Sequence, residues 1–173
     1  ELFAKHDVKI SYNAVSNMYL GSGIAPIIKI HKAGLTISLG VDGAASNNSQ
    51  DMIETLKFSA LLQKVGAKDA SVVDAQSVFD WATLGGAKVL GLENEIGSLE
   101  VGKGADLFVM AVNSSKVAPV HDPVASLVYS SGEQNVVMTV ADGKVLMKDG
   151  VIQHIDEAKI ISICQEKALG LAS

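Results

Sequence analysis

The sequence predicts an α/β fold, with strands and helices alternating in its first half and a β-rich second half. Three observations carry this expectation. Residues 35–40 (Leu-Thr-Ile-Ser-Leu-Gly) form an apolar run that ends, two residues later, at the lone carboxylate of Asp42 and opens into a Gly/Ala/Ser/Asn loop. That is the pattern of a strand buried on both faces, whose C-terminal end is where parallel α/β folds handle ligands. Residues 51–65 place apolar side chains at 52, 53, 56, 60 and 61, one stripe of a helix. From Gly97 onward, short apolar runs are punctuated by Gly and Asp-Gly turns, the signature of strands and hairpins.

Taken in order, residues 1–6 read as the end of a helix. Residues 8–12 alternate apolar and polar and form a strand. A loop holding Ser16, Asn17, Gly21 and Gly23 follows. Residues 24–32 form a short helix, with Pro26 tolerated in its first turn and Gly34 beyond its end. After the strand at 35–40, Asp51 suits the positive N-terminal end of the 51–65 helix and Gly66 can stop it. Residues 74–90 are helical, with a break expected at Gly85-Gly86 and Trp81 on the buried face. Strands are expected at 106–111, 125–129, 136–140 and 145–147, with turns at 102–104, 141–144 and 149–150. Asp156 caps a final helix to about residue 171. The change of composition near 94–97 divides the chain into 1–95 and 96–173.

Composition narrows the function classes. A hydrophobic fraction of 48% over 173 residues supports a large core. The net charge of -5 comes without any Lys/Arg run, which argues against a nucleic-acid partner. No apolar run reaches the ~18 residues of a membrane span. Cys164 is the single cysteine, so no internal disulfide forms and a reducing, cytoplasmic setting is expected. Its apolar helical context reads as a packed small hydrophobe rather than a nucleophile. The first residue is Glu1, so the start is expected to be truncated or processed. His6, His31, His121 and His154 never fall at metal-ligand spacing; His6 and His31 suit helix C-termini, where a cationic ring meets the dipole. Gly102-Lys103-Gly104 lacks the phosphate-loop spacing and is a turn.

On the dipeptide alone, Asp42-Gly43 is a turn as readily as a site. Its context is more specific. Residues 39–48, Leu-Gly-Val-Asp-Gly-Ala-Ala-Ser-Asn-Asn, resemble the L-G-T-D-G-A-A-S-N-N signature of the amidohydrolase superfamily, in the branch of methylthioadenosine/S-adenosylhomocysteine deaminases and triazine and ethylammeline hydrolases. Ser16-Asn17-Met18 with 21–26 (Gly-Ser-Gly-Ile-Ala-Pro) is similar to P-S-N-x-K-L-x-S-G-x-A-P. Ala82-Thr83, Gly86-Ala87 and Leu90-Gly91 are similar to A-T-x-x-G-A-x-x-L-G, and residues 96–107 resemble the stretch leading back to the family's small β domain. The order and spacing of the four blocks are more specific than any one.

The resemblance implies the last two βα units of a (β/α)8 metal-dependent hydrolase barrel in 1–95. In 96–173 it implies the C-terminal part of a composite β-sandwich domain with a final helix. A whole barrel of this type needs ~250 residues, and the family's His-x-His is absent here, so the chain is expected to be a C-terminal fragment, inactive alone. The rest of its own barrel would be its first partner. By resemblance, Asp42 is both the catalytic group and a metal ligand, for one divalent cation, zinc with iron as the alternative. Ser46 matches a residue that approaches the substrate ring; equally, it satisfies backbone groups in its loop. Asn47 and Asn48 fit the backbone role better.

The implied reaction is deamination of an adenosine-type or related N-heterocycle by metal-activated water. A guanine, imidazolone or chlorinated triazine ring is the alternative substrate. The chain departs from the family pattern at Tyr12, Tyr19 and Val41, which also admits a non-catalytic homologue with an assembly role. The two tyrosines either pack or lend ring surface to a ligand. The stripe of the 51–65 helix serves a homo-oligomer interface or internal burial equally well.

Overall fold

The computed structural model describes residues 2–171. Glu1, at the start of the first expected helix, lies outside them. That helix is one turn, α1 (Leu2–Lys5). The strand after it, β1 (Ile10–Tyr12), pairs in parallel with β2 (Ile37–Leu39), in the register Ile10–Ile37, Ser11–Ser38, Tyr12–Leu39. All three residues of β2 are buried, which explains the unbroken apolar run. Between them lie α2 (Ala14–Tyr19) and α3 (Ile27–Lys32).

The segment around Ser16 is therefore a helix and not the expected loop. Ala14, Val15 and Ser16 are buried, and packing overrides the low helix propensity of a Ser-Asn pair. α3 starts three residues later than expected, with Pro26 just before its first turn, and Gly34 follows it at φ +76°.

After β2 the chain makes a single short turn of helix, α4 (Ala44–Asn47), then enters α5 (Met52–Ala67). Asp51 caps α5 by accepting from the Ile53 and Glu54 amides at 2.8 and 3.2 Å. Gly66 does not stop this helix. It ends at Lys68 in the left-handed conformation, and a side chain at 66 would press on Ile24. Ile53, Leu56 and Ala60 of the stripe are buried within the chain, while Met52 and Leu61 stay over a third exposed.

The next helix runs without a break through α6 (Ala75–Asp80), a π-helical turn (Trp81–Gly85) and α7 (Gly86–Leu90). The expected interruption at Gly85-Gly86 is a widening instead. A Cβ on Gly85 would fall onto the Ile37 carbonyl oxygen, so glycine lets this helix lie directly against β2. Trp81 is buried as expected, edge-on to His31 with ring centroids 5.4 Å apart.

The second half holds a four-stranded antiparallel sheet in sequential order: β3 (Leu107–Met110), β4 (Val136–Ala141), β5 (Lys144–Lys148) and β6 (Val151–Ile152). The hairpin turns fall at Asp142-Gly143 and Asp149-Gly150, all four residues having positive φ, as type I′ turns require.

The strand expected at 125–129 is a helix, α8 (Pro123–Tyr129). Its run of apolar residues has no period that separates strand from buried helix. The deciding signal is local: Asp122 accepts from the Val124 and Ala125 amides at 2.9 and 3.0 Å, and proline occupies the first turn. α8 packs on α5 and α6, with Val128 fully buried and Lys64 lying over the Tyr129 ring.

One core, including Tyr12, Ile27, Ile37, Leu56, Trp81 and Val128, joins the parallel strands to these helices. Asp156 caps α9 (Glu157–Leu171) through the Lys159 amide at 3.0 Å. Cys164, on this helix, is exposed, which corrects the expectation of a packed thiol: none of the described residues of α9 is buried.

Candidate active site

Parallel pairing brings the C-terminal ends of β1 and β2 side by side. One residue past β2, the Gly40 amide still bonds the Tyr12 carbonyl at 3.1 Å, so the edge is held through the end of the ladder. Asp42 stands just beyond, exposed, with φ +64°. A non-glycine residue in that region is uncommon, although Asp tolerates it better than most, and such conformations cluster at functional sites.

The carboxylate is oriented from several sides. Ser16 donates its hydroxyl to Asp42 Oδ2 at 2.6 Å, and the Gly43 amide donates to Oδ1 at 2.8 Å. These bonds, with a smaller contribution from the Ser46 hydroxyl, hold the carboxyl below the usual carboxylate range. Each carboxylate oxygen has two lone pairs. Acceptor sites therefore remain for a cation or a proton.

The surrounding loop is pinned by its backbone. Asn47 is buried and donates Nδ2 to the Val41 carbonyl at 2.6 Å. Gln50 donates Nε2 to the Asp42 carbonyl at 3.2 Å. Asn47 thus takes the backbone role expected of it. The Ser46 hydroxyl donates to the Gly43 carbonyl at 3.0 Å, the local bonding that its sequence context equally allowed.

Profile comparison matches the Amidohydrolase family over residues 1–146. The chain belongs to the amidohydrolase family.

Within this family, the chain is 42% identical over 168 residues to the 5-methylthioadenosine/S-adenosylhomocysteine deaminase of Desulforudis audaxviator, covering 97% of this chain and 39% of that protein. It is 36% identical over 171 residues to the 5'-deoxyadenosine deaminase of Methanothermobacter thermautotrophicus, covering 99% and 40%. Among solved structures, an adenosine deaminase from Xanthomonas campestris with bound zinc superposes with a TM-score of 0.92 at 33% identity, covering 95% of this chain and 38% of that one. The zinc complex of atrazine chlorohydrolase from Arthrobacter aurescens gives 0.88 at 26%, covering 95% and 36%. The chain spans about two-fifths of the length of the relatives it matches.

The donors at this edge suit one ligand of a hydrolase metal and no more. Asp42 offers an anionic oxygen pair with open acceptor sites, but no group of three or more His, Cys, Asp or Glu comes together among the described residues. A zinc site takes at least three protein ligands. The two tyrosines separate: Tyr12 is buried, its hydroxyl accepting from Gln63 at 2.8 Å, whereas Tyr19 is 62% exposed and packs in no core. Ser16 is the residue that sequence reasoning left out. The Ser-Asn block follows β1 on the strand-end face that the sequence also assigns to Asp42, and the parallel pairing of β1 with β2 brings Ser16 within a hydrogen bond of it.

Proposed function

We propose that this chain supplies the last part of the catalytic barrel of a metal-dependent deaminase acting on adenosine-type substrates. The observation that carries the reading is Asp42: a carboxylate on the C-terminal edge of paired parallel strands, with open acceptor sites, in an amidohydrolase sequence whose relatives include nucleoside deaminases. Asp42 would be a ligand to one divalent cation, with zinc supported by the zinc-bound neighbours. The cation, when bound, lowers the pKa of a water molecule toward neutrality. Asp42 would accept a proton from the attacking water as the oxygen adds to the ring carbon bearing the exocyclic amine, and would pass that proton to the amine, which would leave as ammonia while the ring keeps the oxygen as a carbonyl and the remaining proton on a ring nitrogen. Ser46, on the same loop, would turn its hydroxyl from the Gly43 carbonyl to a ring nitrogen. In this reading residues 1–95 belong to the barrel and 96–173 to a β domain with a terminal helix, and the single cysteine suits a cytoplasmic enzyme.

A second reading, hydrolysis of a different ring such as a chlorinated triazine, is favoured by the triazine-hydrolase neighbours and by the departures at Tyr12, Tyr19 and Val41. The test is to assay the intact, zinc-loaded polypeptide against 5'-deoxyadenosine, methylthioadenosine and atrazine. Ammonia release from the nucleosides supports the first reading and chloride release from atrazine the second. No turnover of any of them, with zinc bound, leaves the non-catalytic homologue.

A further inference from the structure

We propose that Ser16 is a positioning residue for Asp42. It fixes the carboxylate relative to the strands, so that one face stays turned to the cation and the reacting water. This inference rests on the hydrolase reading above.

Two groups donate to the Asp42 carboxylate, and they differ in origin. The Gly43 amide belongs to the loop that carries Asp42, so it moves with it. Ser16 is 26 residues away, on α2, which grows directly out of the neighbouring strand β1. It is 2% exposed and flanked by the buried Ala14 and Val15. Its hydroxyl is therefore a donor mounted on the core, and at 2.6 Å its bond to a carboxylate is of the short, charge-assisted kind. Of the two donors, it is the one that ties the carboxylate to a second βα unit. Asn47 and Gln50 pin the loop backbone independently of it. Loss of the Ser16 hydroxyl should thus free the carboxylate to rotate without melting the loop, and a small misplacement of a catalytic group is costly.

The experiment uses the intact enzyme with Ser16→Ala, Ser16→Thr and Asp42→Asn, each followed by steady-state kinetics, zinc retention against a chelator, and a thermal melt. Ser16→Ala is expected to lower kcat by about 10- to 100-fold, the range for a hydrogen bond to a charged group. KM should stay within about threefold, zinc should leave roughly tenfold faster, and the melt should barely move. Ser16→Thr, which keeps the hydroxyl, should recover most of the loss. Wild-type kcat and zinc retention in Ser16→Ala, while Asp42→Asn is inactive, would overturn this inference alone. So would a defect confined to KM, or a Ser16→Thr enzyme that melts normally yet is as slow as Ser16→Ala. Wild-type turnover in Asp42→Asn would overturn the hydrolase reading and this inference with it.

Discussion

Asp42 combines a left-handed backbone, an exposed position and a carboxylate with a donor on each oxygen. Asp42→Asn keeps the size and one acceptor oxygen, so the fold should survive. It removes the charge that would hold a cation and the basicity that would accept a proton. Loss of the base alone is worth ~10²–10⁴ in rate, and turnover in the intact enzyme should fall by at least that much with an unchanged melt. Ser46→Ala should lower kcat/KM roughly tenfold if the hydroxyl reaches the ring, with zinc content unaltered; an unchanged kcat/KM assigns Ser46 to its bond with Gly43. A different carboxylate reports on pH. Asp74 caps α6 by accepting from the Ser77 amide at 2.7 Å, and this bond holds its carboxyl below the usual range. A depressed folded-state pKa gives stability that is present above the unfolded value, near 3.9, and lost as the pH falls through the lower folded value. Asp74→Ala should therefore melt lower than wild type at pH 7, by the ~1 kcal/mol of an N-cap, and the gap should close below about pH 4. Melting curves of both proteins from pH 3 to 7 provide the check.

Two elements carry their own tests. The π-helical turn Trp81–Gly85 lies against β2, and a methyl at Gly85 would collide with the Ile37 carbonyl. Gly85→Ala should cost about 1–3 kcal/mol through overpacking, even though alanine is the better helix former. At ~2–4 °C per kcal/mol for a chain of this size, a raised melting temperature would show that the helix can move off the strand. The cap of α8 is the second test. Asp122→Ala removes both amide bonds at its start and should cost ~1 kcal/mol. Since α8 packs on α5 and α6, the loss should appear in the global melt, not as local fraying.

The chain has an accessible surface of 11033 Å² at 18.0 kDa. A compact monomer of that mass exposes ~8,000 Å². The excess is of the order buried in a large permanent interface. It includes α9, none of whose residues is fully buried, and half-exposed apolar residues of the sheet such as Phe108 and Leu146. The 173-residue chain by itself should therefore bind an apolar dye strongly. Lacking a set of three ligating side chains among the described residues, it should also hold no stoichiometric zinc after gel filtration and release no ammonia from adenosine-type substrates. Tight zinc on the pure chain, found by elemental analysis, would contradict this.

The sequence by itself determined the buried strand at 35–40, the capped helix that starts at Asp51, the two Asp-Gly hairpins and the position of Asp42. Each is written in a local pattern: a period, a cap, or a turn that needs particular residues. It also placed the chain in its family, because the blocks around Asp42 and Gly86 occur in one order. Tertiary structure decided what local pattern leaves open. Residues 124–129 carry no period that separates strand from helix; the Asp122 cap and Pro123 favour the helix, and packing against α5 and α6 holds it. Gly85 reads as a helix breaker until β2 is found beside it. Ser16 reads as loop until the pairing of β1 with β2 brings it within a hydrogen bond of a residue 26 positions away. A contact over that separation depends on how strands pair, and strand pairing is set by the whole core rather than by any window of the sequence.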